Sequence, residues 1–203
     1  MRGTPPNAVL GLVQLLVDLL QPQAGESLLD IGCGTGWFTR RFAQIADLSV
    51  TGVDIDNQWL DYARLRDPNS LYLLGDALTL PFADKSFDSC VSVTALCFVD
   101  NWPLAIQEII RVTRSRFAIA LLNRNSLLWR EKGQNGGQGA YHGAHWHTLD
   151  ELHPVLDALS VQQAEYHSAV FLPSGSEEAH QVEPLLSNDL DWGSFLVVSG
   201  SIS

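Results

Sequence analysis

Three glycines at alternate positions, Gly32, Gly34 and Gly36, follow the short apolar run Leu28, Leu29, Ile31 and precede Trp37, Phe38, Arg40, Arg41 and Phe42. Such a run makes a buried strand, and the residues after the glycines restart at helical spacing. Glycine tolerates positive φ and lets a ligand approach the backbone without a Cβ in the way. The first N–H groups of the helix then point at whatever sits in the turn. A second apolar run, 49–55, reads SVTGVDI and carries Asp54 at its end. A carboxylate there, beside the glycine turn, can accept hydrogen bonds from both hydroxyls of a ribose. A third run, Leu71 to Leu74, leads into Gly75-Asp76-Ala77. Strand, glycine turn and helix start make a ligand cradle, although a tight turn with no ligand also uses glycines. Asp54 has a helix-capping alternative, but Asp56 or Asn57 already fills that role ahead of a helix over 58–66.

The elements that must hold these residues are legible in order. A first helix ends at Gln21-Pro22, with Asn7 as its expected N-cap and Val9, Leu12, Val13, Leu16, Leu19 and Leu20 on its apolar face. A fourth strand spans Phe87 to Val93 and is followed by Thr94 to Val99. Asn101 caps a helix with Leu104, Ala105, Ile109 and Val112 on its apolar face, and Arg116 to Leu122 reads as a fifth, central strand. Thr148 to Glu151 is a capping box opening a helix to Leu159, bent at Pro154. Val161 to Leu172 is expected as the sixth strand, 177–186 as a short helix and Phe195 to Ser199 as the last strand.

The chain has 203 residues, 46% of them hydrophobic and 17% charged, which suits one α/β domain. Its boundaries are expected at 1–203, with 1–24 an N-terminal helical segment and 129–147 a lid-like insertion. The net charge of -11 argues against nucleic-acid substrates and anionic membrane surfaces, leaving small molecules and proteins as acceptors. The run Ala8 to Leu20 is too short to span a bilayer and lacks a signal-peptide cleavage site. Cys33, Cys90 and Cys97 are an odd set without a paired framework, which implies reduced thiols and a cytoplasmic setting.

Asp30-Ile31-Gly32-Cys33-Gly34-Thr35-Gly36 resembles the first motif of the class I, S-adenosylmethionine-dependent methyltransferases. A dinucleotide fingerprint would be G-x-G-x-x-G; this is G-x-G-x-G with an acid before it. The stretch Leu80-Pro81-Phe82-Ala83-Asp84-Lys85-Ser86-Phe87-Asp88 resembles a hallmark of the small-molecule members, the group that includes quinone-biosynthesis C-methyltransferases. The resemblance covers nearly the whole chain. It implies a Rossmann-like α/β fold with a seven-stranded sheet, order 3-2-1-4-5-7-6, last strand antiparallel, and helices on both faces. It implies S-adenosylmethionine as cofactor, S-adenosylhomocysteine as product and a small-molecule acceptor. Asp30, Gly32, Cys33, Gly34 and Gly36 are then the cofactor cradle and Asp54 the ribose ligand. Ile55 lies against the adenine, Asp76 accepts from its amine, the Ala77 N–H meets a ring nitrogen, and Thr94 contacts the cofactor. Asn123, after the fifth strand, falls on the substrate side.

The chain departs from many relatives at Leu96 and Cys97, where they carry a histidine or another polar residue. That leaves the loop after the fourth strand without a general base and keeps a rival open, a non-catalytic cofactor-binding protein or regulatory partner. Another rival, a nicotinamide-dependent oxidoreductase, is disfavoured by the glycine spacing. The segment Trp129 to His147 reads WREKGQNGGQGAYHGAHWH. A mobile lid is one reading, with Tyr141 and Trp146 as acceptor contacts and His142 and His145 as candidate bases. A metal site is a second, but no Cys or acid at ligand spacing joins His142, His145 and His147, so no metal is expected. Aromatic anchoring of the loop is the third. The sequence leaves the acceptor and the oligomeric state undetermined.

Overall fold

The computed structural model describes residues 6–45, 47–159, 161–172, 186 and 191–202. Seven strands form one sheet in the order β3-β2-β1-β4-β5-β7-β6. They are β1 (Ser27–Ile31), β2 (Ser49–Asp54), β3 (Leu71–Leu74), β4 (Phe87–Val93), β5 (Thr113–Leu122), β6 (Val161–Ala169) and β7 (Phe195–Ile202). The first five run parallel, and β7 enters antiparallel between β5 and β6. This is the expected order, and the reversed strand is in its expected place.

Burial follows from position in the sheet. The last six residues of β5 and the last five of β4 are buried, as central parallel strands covered on both faces must be. Helix α1 (Pro6–Leu20) packs against β5, β6 and β7, α3 (Asn57–Arg66) against β2 and β3, and α4 (Trp102–Val112) against β4 and β5. Helix α2 (Trp37–Phe42) packs on β2, and α5 (Leu149–Asp157) on β6.

Local chemistry sets the boundaries. Asp56 caps α3 by accepting the Gln58 N–H at 2.8 Å. Thr148 and Glu151 close the capping box of α5, and Asn101 caps α4. Helix α1 begins at Pro6, ahead of the expected cap Asn7, and its buried set includes Leu15 as well as Leu12, Val13, Leu16 and Leu20. In α4 the buried face is Ala105, Ile106, Ile109 and Val112, with Leu104 turned outward. Strand β5 starts at Thr113 rather than Arg116 because α4 stops there, with the buried Thr113 Oγ1 donating to Ile109 O at 2.6 Å. Strand β6 stops at Ala169 rather than Leu172; Val170 has φ 61°, which ends the extended run. Residues 177–185 of the short helix expected over 177–186 lie outside the described residues.

Candidate functional site

The turn between β1 and α2 is built from three glycines in the left-handed region, Gly32 at φ 72°, Gly34 at 51° and Gly36 at 69°. The N–H groups of Gly32 and Cys33 both donate to Val53 O, at 2.7 and 3.0 Å, which locks the turn against β2. A Cβ on each glycine would meet a different fate. On Gly32 it would lie 2.0 Å from Ala95 Cβ, and on Gly36 2.5 Å from the Tyr72 hydroxyl, whereas on Gly34 it would meet nothing within 4 Å. Gly32 and Gly36 are therefore required by the protein's own packing, while Gly34 faces open space.

That space is a cavity of about 640 Å³ at the carboxyl ends of β1, β2 and β4. Gly32, Gly34, Asp54, Ile55, Asp76, Ala77 and Thr94 line it, all expected there from the sequence. Asp54 accepts the Gly34 N–H on one carboxylate oxygen at 2.7 Å and the Asp56 N–H on the other at 2.9 Å. Each oxygen keeps lone-pair capacity on the cavity side, the requirement for holding two vicinal hydroxyls. Asp76 takes the Leu78 N–H on Oδ1 at 2.9 Å. Ile55 is 70% exposed and Phe98 51%, with Trp59 beside them, so the cavity mouth presents apolar surface suited to an aromatic base. The titratable side chains lining it are all acids, Asp54, Asp56, Asp76 and Asp100. Thr94 holds φ 61° where β4 turns into the short 3-10 segment Ala95–Phe98, an uncommon backbone state for a β-branched residue.

The cavity fits S-adenosylmethionine on three counts from this chain alone. One glycine has no packing reason for lacking a side chain, an acid stands at the end of β2 with acceptor capacity to spare, and a second acid follows β3.

Other expected site residues are placed differently. Asp30 is buried and accepts from Thr39 Oγ1 at 2.6 Å, so its carboxylate braces α2 instead of facing the cavity. Burial, with a smaller contribution from Asp54, pushes its pKa up to about 7 against the pull of Thr39. The Cys33 side chain turns away into a small cluster with Leu60, Ala63 and Tyr72, and burial raises its pKa. Only the backbone of Cys33 belongs to the turn. Cys97, within the 3-10 segment, is buried with its pKa pushed up to about 12, mainly by burial, which suits packing and not nucleophilic attack.

The conspicuous stretch 80–88 acts through a clamp that sequence reasoning missed. The Arg111 guanidinium donates to Phe82 O at 2.8 Å, Leu80 O at 3.2 Å, Asp84 at 2.8 Å and Glu108 at 2.6 and 2.8 Å. Glu108 in turn accepts the Leu80 N–H at 2.8 Å, and the Arg111 hydrogen bonds hold its pKa below the usual range. Asp88 accepts from both the N–H and hydroxyl of Ser27, at 2.9 and 2.7 Å, and from Arg114, tying the starts of β4 and β1. Spacing within the stretch carries no sign of Arg111, which lies a helix away. The salient signal was the Glu108-x-x-Arg111 pair on one face of α4.

In the segment 129–147 most residues from Arg130 to Gly143 are exposed, and its end packs against the core. Trp146 is 4% exposed, its ring lies tilted against Tyr141 at 5.6 Å, and both join the main core. Neither lines the cavity, and their packing against the core is what aromatic anchoring of the loop would give. Asn123 is fully buried, and its amide donates to Asp191 O and Gly193 O at 2.7 and 2.8 Å, which fastens β5 to the approach of β7. His142 and His145, expected as candidate bases, are exposed and also lie off the cavity. The His145 N–H instead holds Cys97 O at 2.7 Å. The acid that sequence reading did not find beside these histidines is Glu151, one turn into α5, 3.5 Å from His145 Nε2.

Comparison with known proteins agrees with this geometry. Residues 29–119 match the methyltransferase domain family. A malonyl-[acyl-carrier protein] O-methyltransferase of Erwinia pyrifoliae is 35% identical over 127 residues, 59% of this chain and 48% of that protein. An O-methyltransferase of Penicillium expansum is 37% identical over 109 residues, 50% of this chain and 40% of that one. The chain thus spans about half the length, or less, of these curated relatives. Among solved structures, a Thermotoga maritima S-adenosylmethionine-dependent methyltransferase, described as a possible histamine N-methyltransferase, superposes with a TM-score of 0.78 at 28% identity. That match covers 97% of this chain and 90% of the other. By sheet order, glycine turn and domain match together, the chain is similar to the class I, S-adenosylmethionine-dependent methyltransferases.

Proposed function

We propose that this chain is an enzyme that binds S-adenosylmethionine in the β1–β2–β4 cavity and moves its methyl group to a small-molecule acceptor by in-line displacement. The observation that carries the reading is Asp54, whose two carboxylate oxygens each hold one backbone N–H and face the cavity beside the open Gly34. The cofactor supplies, when bound, a methyl group activated on a sulfonium. The chain's residues do the rest by position. Asp54 takes the ribose hydroxyls, Asp76 and the Ala77 N–H take the adenine edge, and Ile55 covers its face. Thr94, Ala95 and Val99, which follow β4, also line the cavity and help to keep water from the site of transfer. Rate enhancement comes from holding a nucleophile about 3 Å from the methyl carbon, in line with the leaving sulfur. An acceptor already ionised, or an amine, needs no base from the chain, in keeping with the distance of His142 and His145 from the cavity.

The all-acidic lining and the net charge of -11 support a small acceptor and no nucleic acid. The three buried, unpaired cysteines support a reducing, cytoplasmic setting. Among the described residues no helix is long and apolar enough to cross a membrane.

The test is calorimetry with S-adenosylhomocysteine. Asp54→Ala removes a charged acceptor worth about 1.5–3 kcal/mol, so affinity falls at least tenfold while the far-ultraviolet spectrum is kept. Unchanged affinity sinks the ribose assignment, and a preference for NAD over S-adenosylhomocysteine sinks the whole reading.

A further inference from the structure

Away from the cavity, the packed loop brings together two imidazoles and a carboxylate. His147 is fully buried, held by its backbone to Leu122 O at 2.8 Å and to the Arg124 N–H at 2.9 Å. Its ring lies edge-on to Trp102 at 4.9 Å and to His145 at 4.4 Å. Neither ring nitrogen of His147 has a hydrogen-bond partner. A neutral imidazole offers one donor and one acceptor, and buried polar atoms of that kind are nearly always satisfied. His145 Nε2 and Glu151 Oε2 stand next to it, and one ligand atom from each of the three residues falls within 4.8 Å of the others.

We propose that His145, His147 and Glu151 form a site for a divalent transition-metal ion of the zinc or cobalt type. Two imidazoles and one carboxylate are a zinc-binding set that leaves a fourth position for water, and imidazole ligation disfavours magnesium and calcium. Ligands bound at 2.0–2.1 Å in a tetrahedron stand roughly 3.4 Å apart, so His145 and Glu151, at 3.5 Å, are already spaced for it and His147 must close by at most about 1.4 Å. His145, with 45% of its side chain exposed, is free to rotate inward. Arg124 holds Glu151 Oε1 at 2.9 Å, which leaves Oε2 to the ion while it keeps the Thr148 N–H at 3.1 Å. The Arg124 charge lowers the affinity below that of an isolated His-His-Glu set, and occupancy answers the unmet ring of His147.

The site lies between elements, which gives the ion a mechanical role. His147 belongs to the strand-like pairing with Asn123, Glu151 to α5, and the His145 backbone to the turn Ala95–Phe98 through Cys97 O. A bound ion would fasten all three, one of which walls the cavity. This inference stands apart from the methyl-transfer reading.

The experiment is a titration of the full, chelator-treated chain with cobalt(II) at pH 7.5, followed by visible d–d absorption. A saturable band at one cobalt per chain is expected, together with a rise in the thermal midpoint on adding zinc. His145→Ala removes an exposed ligand without touching the interior, and Glu151→Gln retains the capping box. Each should weaken cobalt binding at least tenfold, as should His147→Asn, while His153→Asn, on the far side of α5 against Tyr166, should not. Absence of a saturable band overturns the site, as does binding unchanged by both His145→Ala and Glu151→Gln.

Discussion

Replacing Gly32 and Gly34 separately with alanine should split stability from ligand binding. Both sit at positive φ, where an L side chain costs about 1–2 kcal/mol. Gly34→Ala meets nothing within 4 Å, so its stability loss should stay near that backbone figure. Gly32→Ala adds a Cβ 2.0 Å from Ala95 Cβ, and relieving it must move the start of the 3-10 turn against β1. Overpacking of that kind costs about 1–3 kcal/mol, giving a total of roughly 2–5 kcal/mol. Ligand binding should rank the other way relative to stability. The new methyl of Gly34→Ala projects into the space a cofactor would fill, so S-adenosylhomocysteine affinity should drop more than tenfold, about 1.4 kcal/mol or more. Urea unfolding gives the first quantity and calorimetry the second. A Gly34→Ala protein that binds like wild type, or one destabilised as much as Gly32→Ala, would refute the assignment of Gly34 to the ligand.

Two further outcomes are expected. Arg111→Met should cost roughly 2 kcal/mol in urea unfolding, because Glu108 loses the partner of its half-buried carboxylate and two carbonyls of the 80–82 turn lose their donor; a loss under about 0.5 kcal/mol would show that the clamp is ornamental. Asp30 has its pKa raised from 3.8 to about 7 by burial, so between those values the folded state keeps a proton that the unfolded chain has released. Stability from this group is therefore fully present below about pH 4 and lost as pH rises through about 7, by up to roughly 4 kcal/mol. Asp30→Asn should flatten that slope relative to wild type between about pH 4 and 7, and parallel curves would refute it.

The fold was legible because strands and helices announce themselves by local pattern. Runs such as Phe87 to Val93 and Leu71 to Leu74 have the observed bounds, and the caps at Asp56, Asn101 and Thr148 are local hydrogen-bond chemistry. Much of the cavity lining was legible for the same reason, since Asp54 ends β2 while Gly34 and Asp76 follow within three residues of the ends of β1 and β3. What sequence order hides is the direction of a side chain. Asp30 is followed within one residue by the glycine turn, yet it points under α2 to Thr39. Asn123, expected on the substrate side, and Trp146, expected as an aromatic contact of the loop, both have buried side chains. Pairings across space are hidden too. Arg111 reaches back 29 residues to Phe82, and Glu151 meets His145 only because α5 folds against the loop.

The placement of β7 has a consequence for how the molecule is made. Leu122 at the end of β5 pairs with Phe195, 73 positions later, and β7 lies between β5 and β6. At a synthesis rate of about 5–20 residues per second, the gap corresponds to roughly 4–15 seconds. During that interval β5 has a parallel neighbour on one side and an open row of backbone donors and acceptors on the other. Its last six residues are all apolar or small, Phe117 to Leu122, the composition that recruits other chains at an unprotected edge. Yield of soluble protein should therefore depend on the concentration of nascent chains and on growth temperature more than on the stability of the finished fold.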